Sequence, residues 1–263
     1  MGTFIGAQAE GPSRAHSGEN VEMTEHGHRH GRTPGIGETE LHDEAYWDAR
    51  YASAPAIWSG RPNPQLVAEA LSLEPSTALD AGCGEGADAV WLAGRGWRVT
   101  AVDISAVALE RAADHARSMG ADVADMITWR RADLTKDADF DERFGLVSAQ
   151  FLHVPRPDRD ALHGRLVALV APGGTLLVVG HHPSDLETAP GIRPRHGDVL
   201  FLPEEIIALL EPASWTVVAA ESRPRTTVDG DGRTLQVADA VLVARRHESA
   251  SPPTDGLTRA TQE

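Results

Sequence analysis

The chain has 263 residues, 41% hydrophobic and 24% charged, a balance that suits a folded domain and excludes a low-complexity chain. Its formal net charge of −15 argues against nonspecific nucleic-acid binding, which draws on Lys and Arg, and against docking on anionic membranes. The single cysteine, Cys83, excludes an internal disulfide; no apolar run approaches the ~20 residues of a membrane span, the first residues lack a signal-peptide pattern, and a cytoplasmic location is the expectation.

Residues 1–38 are rich in Gly, Ser, Glu, His and Pro, without apolar periodicity, and read as a disordered tail. Glu25-His-Gly-His-Arg-His30 sets histidines at alternate positions, a pattern able to hold a metal ion. No second ligand cluster lies nearby in sequence, so no metal site is expected. One domain is expected over 39–246, and a second disordered tail over 247–263.

Within the domain a helix is expected over roughly Glu40–Tyr51, from Leu41, Ala45, Tyr46 and Tyr51 at helical spacing. Trp58-Ser-Gly-Arg-Pro-Asn-Pro64 signals a loop. Asn63 is expected to cap the next helix, with Pro64 at its first position, running to about Leu73. A strand over Thr77–Asp80 leads to a helix over about Glu85–Arg95, then a strand over Arg98–Val102. Ser105 caps a helix to about Met119. Strands follow near Met126–Arg131 and Leu146–Phe151. A helix from about Asp158 to Val170 stops at Pro172-Gly-Gly174, and a fifth strand covers Leu176–Gly180. Residues 181–202 read as an irregular insertion. A short helix (Pro203–Leu210) precedes strands near Trp215–Ala220 and Asp239–Arg245. Alternating elements of this kind predict an α/β fold: a seven-stranded, mostly parallel sheet with helices on both faces and one antiparallel edge strand.

The most specific signal is Asp80-Ala-Gly82-Cys-Gly84-Glu-Gly86. Glycines at alternate positions let the backbone turn sharply and come close to a ligand. About twenty residues on, the second strand ends in Asp103, where an acid in nucleotide-binding α/β folds accepts from ribose hydroxyls. The acid ahead of the glycines would repel a pyrophosphate and suits an ammonium group. Asp103 also reads as a capping acid ahead of Ser105.

These residues resemble the first motif of the class I S-adenosylmethionine (SAM) methyltransferases, a strand followed by D-x-G-x-G-x-G. The resemblance continues through Val102-Asp103-Ile104-Ser105, Arg131-Ala-Asp133-Leu134, Phe144-Gly-Leu-Val-Ser-Ala-Gln150 and Ala171-Pro-Gly-Gly-Thr-Leu-Leu-Val. It covers roughly residues 40–245 and implies a Rossmann-like fold with SAM as cofactor. It further implies that Asp80, Gly82, Cys83 and Gly84 hold the methionine part, and Asp103 the ribose. Ile104 would pack on the adenine, Asp133 would accept from its amino group with Leu134 alongside, and Gln150 would face the sulfonium end. Asp133 also reads as one loop acid among Asp137, Asp139 and Asp141.

For catalysis, His153 is the leading candidate base, three residues beyond Gln150. His181 and His182 follow the fifth strand toward the same crevice. Imidazoles titrate near pH ~6.5 and suit proton removal at neutral pH. His163 reads as a solvated helix residue. Tyr46, Trp47, Tyr51, Trp58 and Arg61, with Trp91-Leu-Ala-Gly-Arg-Gly-Trp-Arg-Val99, resemble the thiopurine-methyltransferase and tellurite-resistance branch, in which an N-terminal segment covers cofactor and acceptor. Trp58 and Arg61 are then expected as a lid, with Arg61 drawn to the SAM carboxylate. The expected activity is methyl transfer from SAM to a small-molecule S, O or N nucleophile. The alternatives are a nucleic-acid or protein methyltransferase and a non-catalytic SAM-binding regulator. Gln150-Phe-Leu-His stands where a base-flipping enzyme would carry Asn-Pro-Pro-Tyr.

Overall fold

A computed structural model describes residues 43–136, 140–152, 154–156, 158–189, 199–228 and 232–248. The tail histidines 26–30 and the expected base His153 lie outside the described residues. The elements are α1 (Glu44–Ala52), α2 (Pro64–Ala70), β1 (Thr77–Ala81), α3 (Ala87–Ala93), β2 (Arg98–Asp103), α4 (Ala106–Met119), α5 (Ala121–Ala124) and β3 (Ile127–Arg131). They continue with β4 (Phe144–Gln150), α6 (Asp158–Leu169), β5 (Val170–His181), α7 (Asp185–Thr188), α8 (Pro203–Ile207), β6 (Trp215–Val228) and β7 (Thr234–Arg246).

The strands form one sheet in the order β3-β2-β1-β4-β5-β7-β6. β1 to β5 pair in parallel, and β7 runs antiparallel to both neighbours. The mostly parallel seven-stranded sheet matches the sequence reading. Its one antiparallel strand lies one place in from the edge, because β6 and β7 form a long hairpin whose second arm, not its first, returns to pair with β5. The edge itself is β6. The hairpin arms also run further than expected, to Val228 and from Thr234, beyond the point where β5 stops opposite Asp239.

Alternation along the strands supplies two cores. Ala78, Leu146, Leu177 and Val243 turn to one face, against Leu66 and Ala70 of α2 and Ala89 and Leu92 of α3. Leu79, Val147, Leu176 and Leu242 turn to the other, against Leu162 and Leu166 of α6 and Ile206 of α8. Both faces are covered, as a parallel sheet requires, and the central strands β1, β4 and β5 are buried along most of their length.

The caps follow the sequence in part. Ser105 Oγ accepts from Ala108 N–H at the start of α4, as expected. Asn63 occupies the N-cap position of α2 but makes no side-chain cap bond. Its N–H and its side-chain amide both donate to Asp88 at the start of α3, at 2.6 and 2.9 Å. A buried carboxylate competes better for these donors than the helix end does, since charge-assisted bonds are roughly twice as strong as neutral ones. The segment expected as a tail from 247 begins with a bonded residue: His247 N–H donates to Ser214 C=O at 2.8 Å.

Gly86, the N-cap of α3, sits at φ +80°. A Cβ there would meet Ala112 Cβ at 2.7 Å and Trp129 Cη2 at 2.8 Å, closing the contact between α3 and α4. Left-handed strain adds to overpacking. Gly86→Ala is therefore expected to cost about 2 kcal/mol or more, which for a domain of this size lowers the thermal midpoint by about 4–8 °C. Melting followed by circular dichroism checks this, and an unchanged midpoint would disprove the contact.

Candidate functional site

The carboxyl ends of β1, β2 and β4 meet at the glycine turn. Gly82 N–H and Cys83 N–H both donate to Val102 C=O, at 2.8 and 3.0 Å, so the turn is bolted onto the end of β2. Asp103 then closes it. One carboxylate oxygen accepts from Gly84 N–H at 2.8 Å and the other from Ser105 N–H at 2.9 Å. Gly84 has φ +50°, and a Cβ on it would lie 2.9 Å from Tyr51 Oη and 3.3 Å from Trp58 Nε1. The aromatic pair from the N-terminal segment therefore stands directly on the turn. Trp58 Nε1 donates to Tyr51 Oη at 3.1 Å.

That segment is held down by acids. Glu85, inside the turn, accepts from Ile57 N–H at 3.1 Å and Trp58 N–H at 3.0 Å, and pairs with Arg111 of α4 at 2.9 Å. Asp48 of α1 accepts from Ser105 Oγ at 2.6 Å and from Val107 N–H at 3.3 Å. None of Asp48, Glu85 and Asp88 was singled out from the sequence. The signal available was the spacing Gly84-Glu85-Gly86-x-Asp88, with acids set between and just after the glycines.

Burial raises the pKa of the Asp80, Asp88 and Asp103 carboxyls. Asp80 is 2% exposed. Burial first, then the charges of Asp88 and Asp103, push its carboxyl well above the ordinary range. Burial raises Asp88 against the two Asn63 donors, and raises Asp103 against the N–H groups of Ser105, Gly84 and Ile104. Burial and then Asp103 raise the Tyr51 phenol. Burial and then Asp80 raise the Cys83 thiol, which leaves it a poor nucleophile.

Three buried polar atoms in this region have no hydrogen-bond partner: Asp80 Oδ2, Gln150 Oε1 and Arg50 Nε. Gln150 ends β4, and its amide donates to Ser148 Oγ at 3.0 Å. The Arg50 guanidinium lies 5.7 Å from the Trp58 ring centroid and 5.9 Å from that of Trp47. Two orphan acceptors and one orphan cationic donor are the complement of an ammonium and a carboxylate. Buried groups of this kind are costly unless something satisfies them.

The remaining expected residues are placed as follows. Ile104 follows Asp103, half-buried. Asp133 is committed locally: Oδ1 accepts from Thr135 N–H and Oγ1 at 3.0 and 2.6 Å, and Oδ2 pairs with Lys136 at 2.9 Å. Burial raises its pKa, but the Lys136 and Thr135 bonds outweigh it and leave it lowered. Leu134 is buried in the core with Val102 and Leu79. Arg61 is exposed, and its N–H donates to Ser59 Oγ at 3.2 Å. Arg50, not named from the sequence, is the cation stacked beside Trp58. Its signal was the Trp47-x-x-Arg50 spacing, which places both on one side of a helix.

His181 and His182 follow at the end of β5. His182 Nδ1 accepts from Ser184 N–H at 3.2 Å and lies 2.8 Å from Ser184 Oγ. A backbone N–H can only donate, so the neutral ring carries its proton on Nε2. His182 can donate into the crevice, but its lone pair is spent. His181 is 8% exposed and stacks on Phe151, with ring centroids 4.8 Å apart. Phe151 sits at φ +54°, the only non-glycine in the left-handed region among the described residues. Backbone strain of this sort gathers at functional sites.

His163, expected to be solvated, is 5% exposed instead. From α6 it faces Phe201, just ahead of α8, and it lines a cavity of about 10 Å³ with Leu152 and Val178. Burial, then the charge of Arg159, lowers its pKa from 6.5 to about 4. Between these values the unfolded chain binds the proton and the folded chain does not, so this group makes stability fall as the pH drops through that window. His163→Leu is expected to remove up to about 3 kcal/mol of that loss. Denaturant unfolding of both proteins between pH 7 and 4 reads it, and parallel curves would show that the ring is not held neutral.

Comparison with known proteins follows the same outline. Residues 78–174 match the family described as a methyltransferase domain. A relative from Mycobacteroides abscessus, a 2-heptyl-1-hydroxyquinolin-4(1H)-one methyltransferase, is 32% identical over 46% of this chain and 54% of its own. The chain spans about half the length of the curated relatives it matches. A solved structure from work on converting a disulfide bond into a thioacetal group during echinomycin biosynthesis superposes with a TM-score of 0.61, at 24% identity, over 79% of this chain and 93% of that one. TehB from Haemophilus influenzae superposes with a TM-score of 0.56, at 18% identity, over 77% of this chain and 66% of that one.

Proposed function

We propose that this chain, which carries a class I SAM-dependent methyltransferase domain, transfers a methyl group from SAM to a small-molecule acceptor through an S, O or N nucleophile. The single observation that carries the proposal is the set of unsatisfied groups beside the glycine turn. Asp80 Oδ2 and Gln150 Oε1 are buried acceptors without a donor, and Arg50 Nε is a buried donor without an acceptor. A zwitterionic amino-acid end satisfies all three, and a cation relieves the crowding of Asp80, Asp88 and Asp103. A dinucleotide's pyrophosphate could meet Arg50 alone; it offers no donor to Asp80 or Gln150 and would be repelled by the Asp80 carboxylate.

Asp80, Gly82, Cys83 and Gly84 would hold the methionyl end with Arg50 at its carboxylate. Asp103 would take the ribose hydroxyls through the lone pairs its two N–H partners leave free. Ile104, Asp133 and Leu134 are the proposed surroundings of the adenine. SAM, when bound, supplies a methyl group already activated on a sulfonium. What remains for the chain is to orient the acceptor, exclude water and remove a proton where the acceptor carries one. Orientation alone supplies up to roughly 7–11 kcal/mol in the best intramolecular systems. Trp58, seated on Gly84, would exclude water. His181 and His153 are the proposed bases, and His182 the proposed donor. The net charge of −15 supports a small-molecule acceptor over nucleic acid or an anionic membrane. No helix among the described residues is long and apolar enough to cross a membrane. A cytoplasmic enzyme remains the proposed setting.

Titration calorimetry with SAM tests the assignment. Asp103→Ala is expected to weaken binding by about 2 kcal/mol or more, since charge-assisted bonds are lost. Arg50→Met is expected to weaken it about tenfold or more, while Arg61→Met leaves it near wild type. Wild-type affinity in both of the first two variants would sink the cofactor site.

A further inference from the structure

The three buried acids at the glycine turn differ in how many donors they hold. Asp103 accepts from the N–H groups of Gly84 and Ser105, one on each oxygen, and Ile104 N–H adds a third. Asp88 accepts twice from Asn63. Asp80 accepts from Ala89 N–H in the first turn of α3, and its Oδ2 has no partner. The residues opposite it in the sheet, Ala101 on β2 and Ser148 on β4, bring no charge. Asp88 from α3, Asp103 from β2 and the Cys83 thiol from the turn are the titratable groups that act on it. Of the cations in this region, Arg111 pairs with Glu85, and the Arg50 guanidinium lies against Trp47 and Trp58.

Carboxyls that share a site out of water resist ionising together, and the group as a whole takes up a proton. Burial, then the charges of Asp88 and Asp103, act in that direction on Asp80. Hydrogen-bond donors decide which acid carries the proton, because each N–H favours the ionised form it points at. Protonating Asp103 would weaken three such bonds and protonating Asp88 two. Asp80, whose ionised form holds one, is the acid that gives up least.

We propose that the unliganded protein carries a proton on Asp80 at neutral pH, and that the ammonium group of the cofactor displaces it to solvent. The displacement rests on the SAM site proposed above; the proton on Asp80 does not, and the two are tested separately. The exchange balances. The O–H bond of the Asp80 carboxyl breaks, the proton passes to the buffer, and the carboxylate left behind pairs with an ammonium that keeps its own protons. One positive charge leaves as another arrives, so the buried cluster keeps its net charge. Binding is thereby linked to pH. The free protein holds a proton that the complex lacks, so affinity rises with pH, about tenfold per unit, and levels off once Asp80 ionises unaided.

Two measurements on the full chain test this, one without ligand and one with. The infrared spectrum at pH 7 is expected to show the carbonyl stretch of a protonated carboxyl, absent from Asp80→Asn. Titration calorimetry at pH 7 in phosphate and in Tris, buffers with different heats of protonation, counts the protons released. SAM and S-adenosylhomocysteine both carry the ammonium, and each is expected to release about one proton. Methylthioadenosine, which has the nucleoside without the amino-acid end, should release none. Asp80→Asn should bind SAM more weakly and release none. A wild type without the infrared band, a band that survives in Asp80→Asn, or SAM binding with equal heats in both buffers overturns the proposal. So does release by methylthioadenosine, or release by SAM but not by S-adenosylhomocysteine, which would point to the sulfonium. If Asp80→Asn does not fold, the wild-type band and the three ligands still decide. A wild type that shows the band but binds none of the ligands would remove the cofactor reading, and the displacement with it, and leave the proton on Asp80 standing.

Discussion

The concentration of buried carboxylates around one glycine turn is the constraint that the rest of the structure answers to. An isolated ionised carboxylate is very costly to bury, and here Asp80, Asp88 and Asp103 approach one another at the ends of adjoining elements. Each is met differently. Asp103 is met by backbone N–H groups of the turn and of the start of α4, and Asp88 by Asn63. Asp80 is left with one oxygen unmet. The N-terminal segment owes its place to this arrangement. It descends onto the turn because Glu85 offers its carboxylate to the N–H groups of Ile57 and Trp58.

Much of this could be read from the residues. The strand ends at Asp80 and Asp103, the glycines between, the Ser105 cap and the parallel order of β1 to β5 all follow from local signals: apolar runs, a turn chemistry, a capping residue. Less legible was everything that depends on distant parts of the chain meeting. Nothing in Asn63-Pro64 says that its donors go to Asp88 instead of the helix it opens. His163 looks like any helix histidine until Phe201 arrives from beyond β5 to cover it. Arg50 and Arg61 are both arginines near a tryptophan. Only the packing of α1 across the turn singles out Arg50, because that packing buries one face of a helix and leaves the loop exposed. The hairpin is the largest case. Its arms were foreseen as two short strands, since β6 is exposed along most of its length and carries little apolar alternation to mark its true extent.

Asp239 shows the same limit from the opposite direction. Within Val237-Ala-Asp-Ala-Val241 it is one acid in an apolar strand, the position least hospitable to charge. A reading by hydropathy treats it as the residue that begins a strand. In the folded chain it lies inside the strand, opposite both His181 and Arg223.

Helix α2 is only seven residues long, about 10 Å from end to end, yet it is bonded to α3 on one side and to the β6–β7 hairpin on the other. Asn63, at its entrance, is fastened to α3 on the cofactor side through Asp88. Gln65 and Glu69, one turn apart along its length, are fastened to Asp239 and Arg223 of the hairpin. It works as a strut. The two sides of the crevice are separate in sequence by well over half the domain, and this short rod is bonded to both. Lengthening or shortening α2 by a single residue would rotate its bonding side chains by about 100° and uncouple the two walls, although neither wall would have changed in sequence.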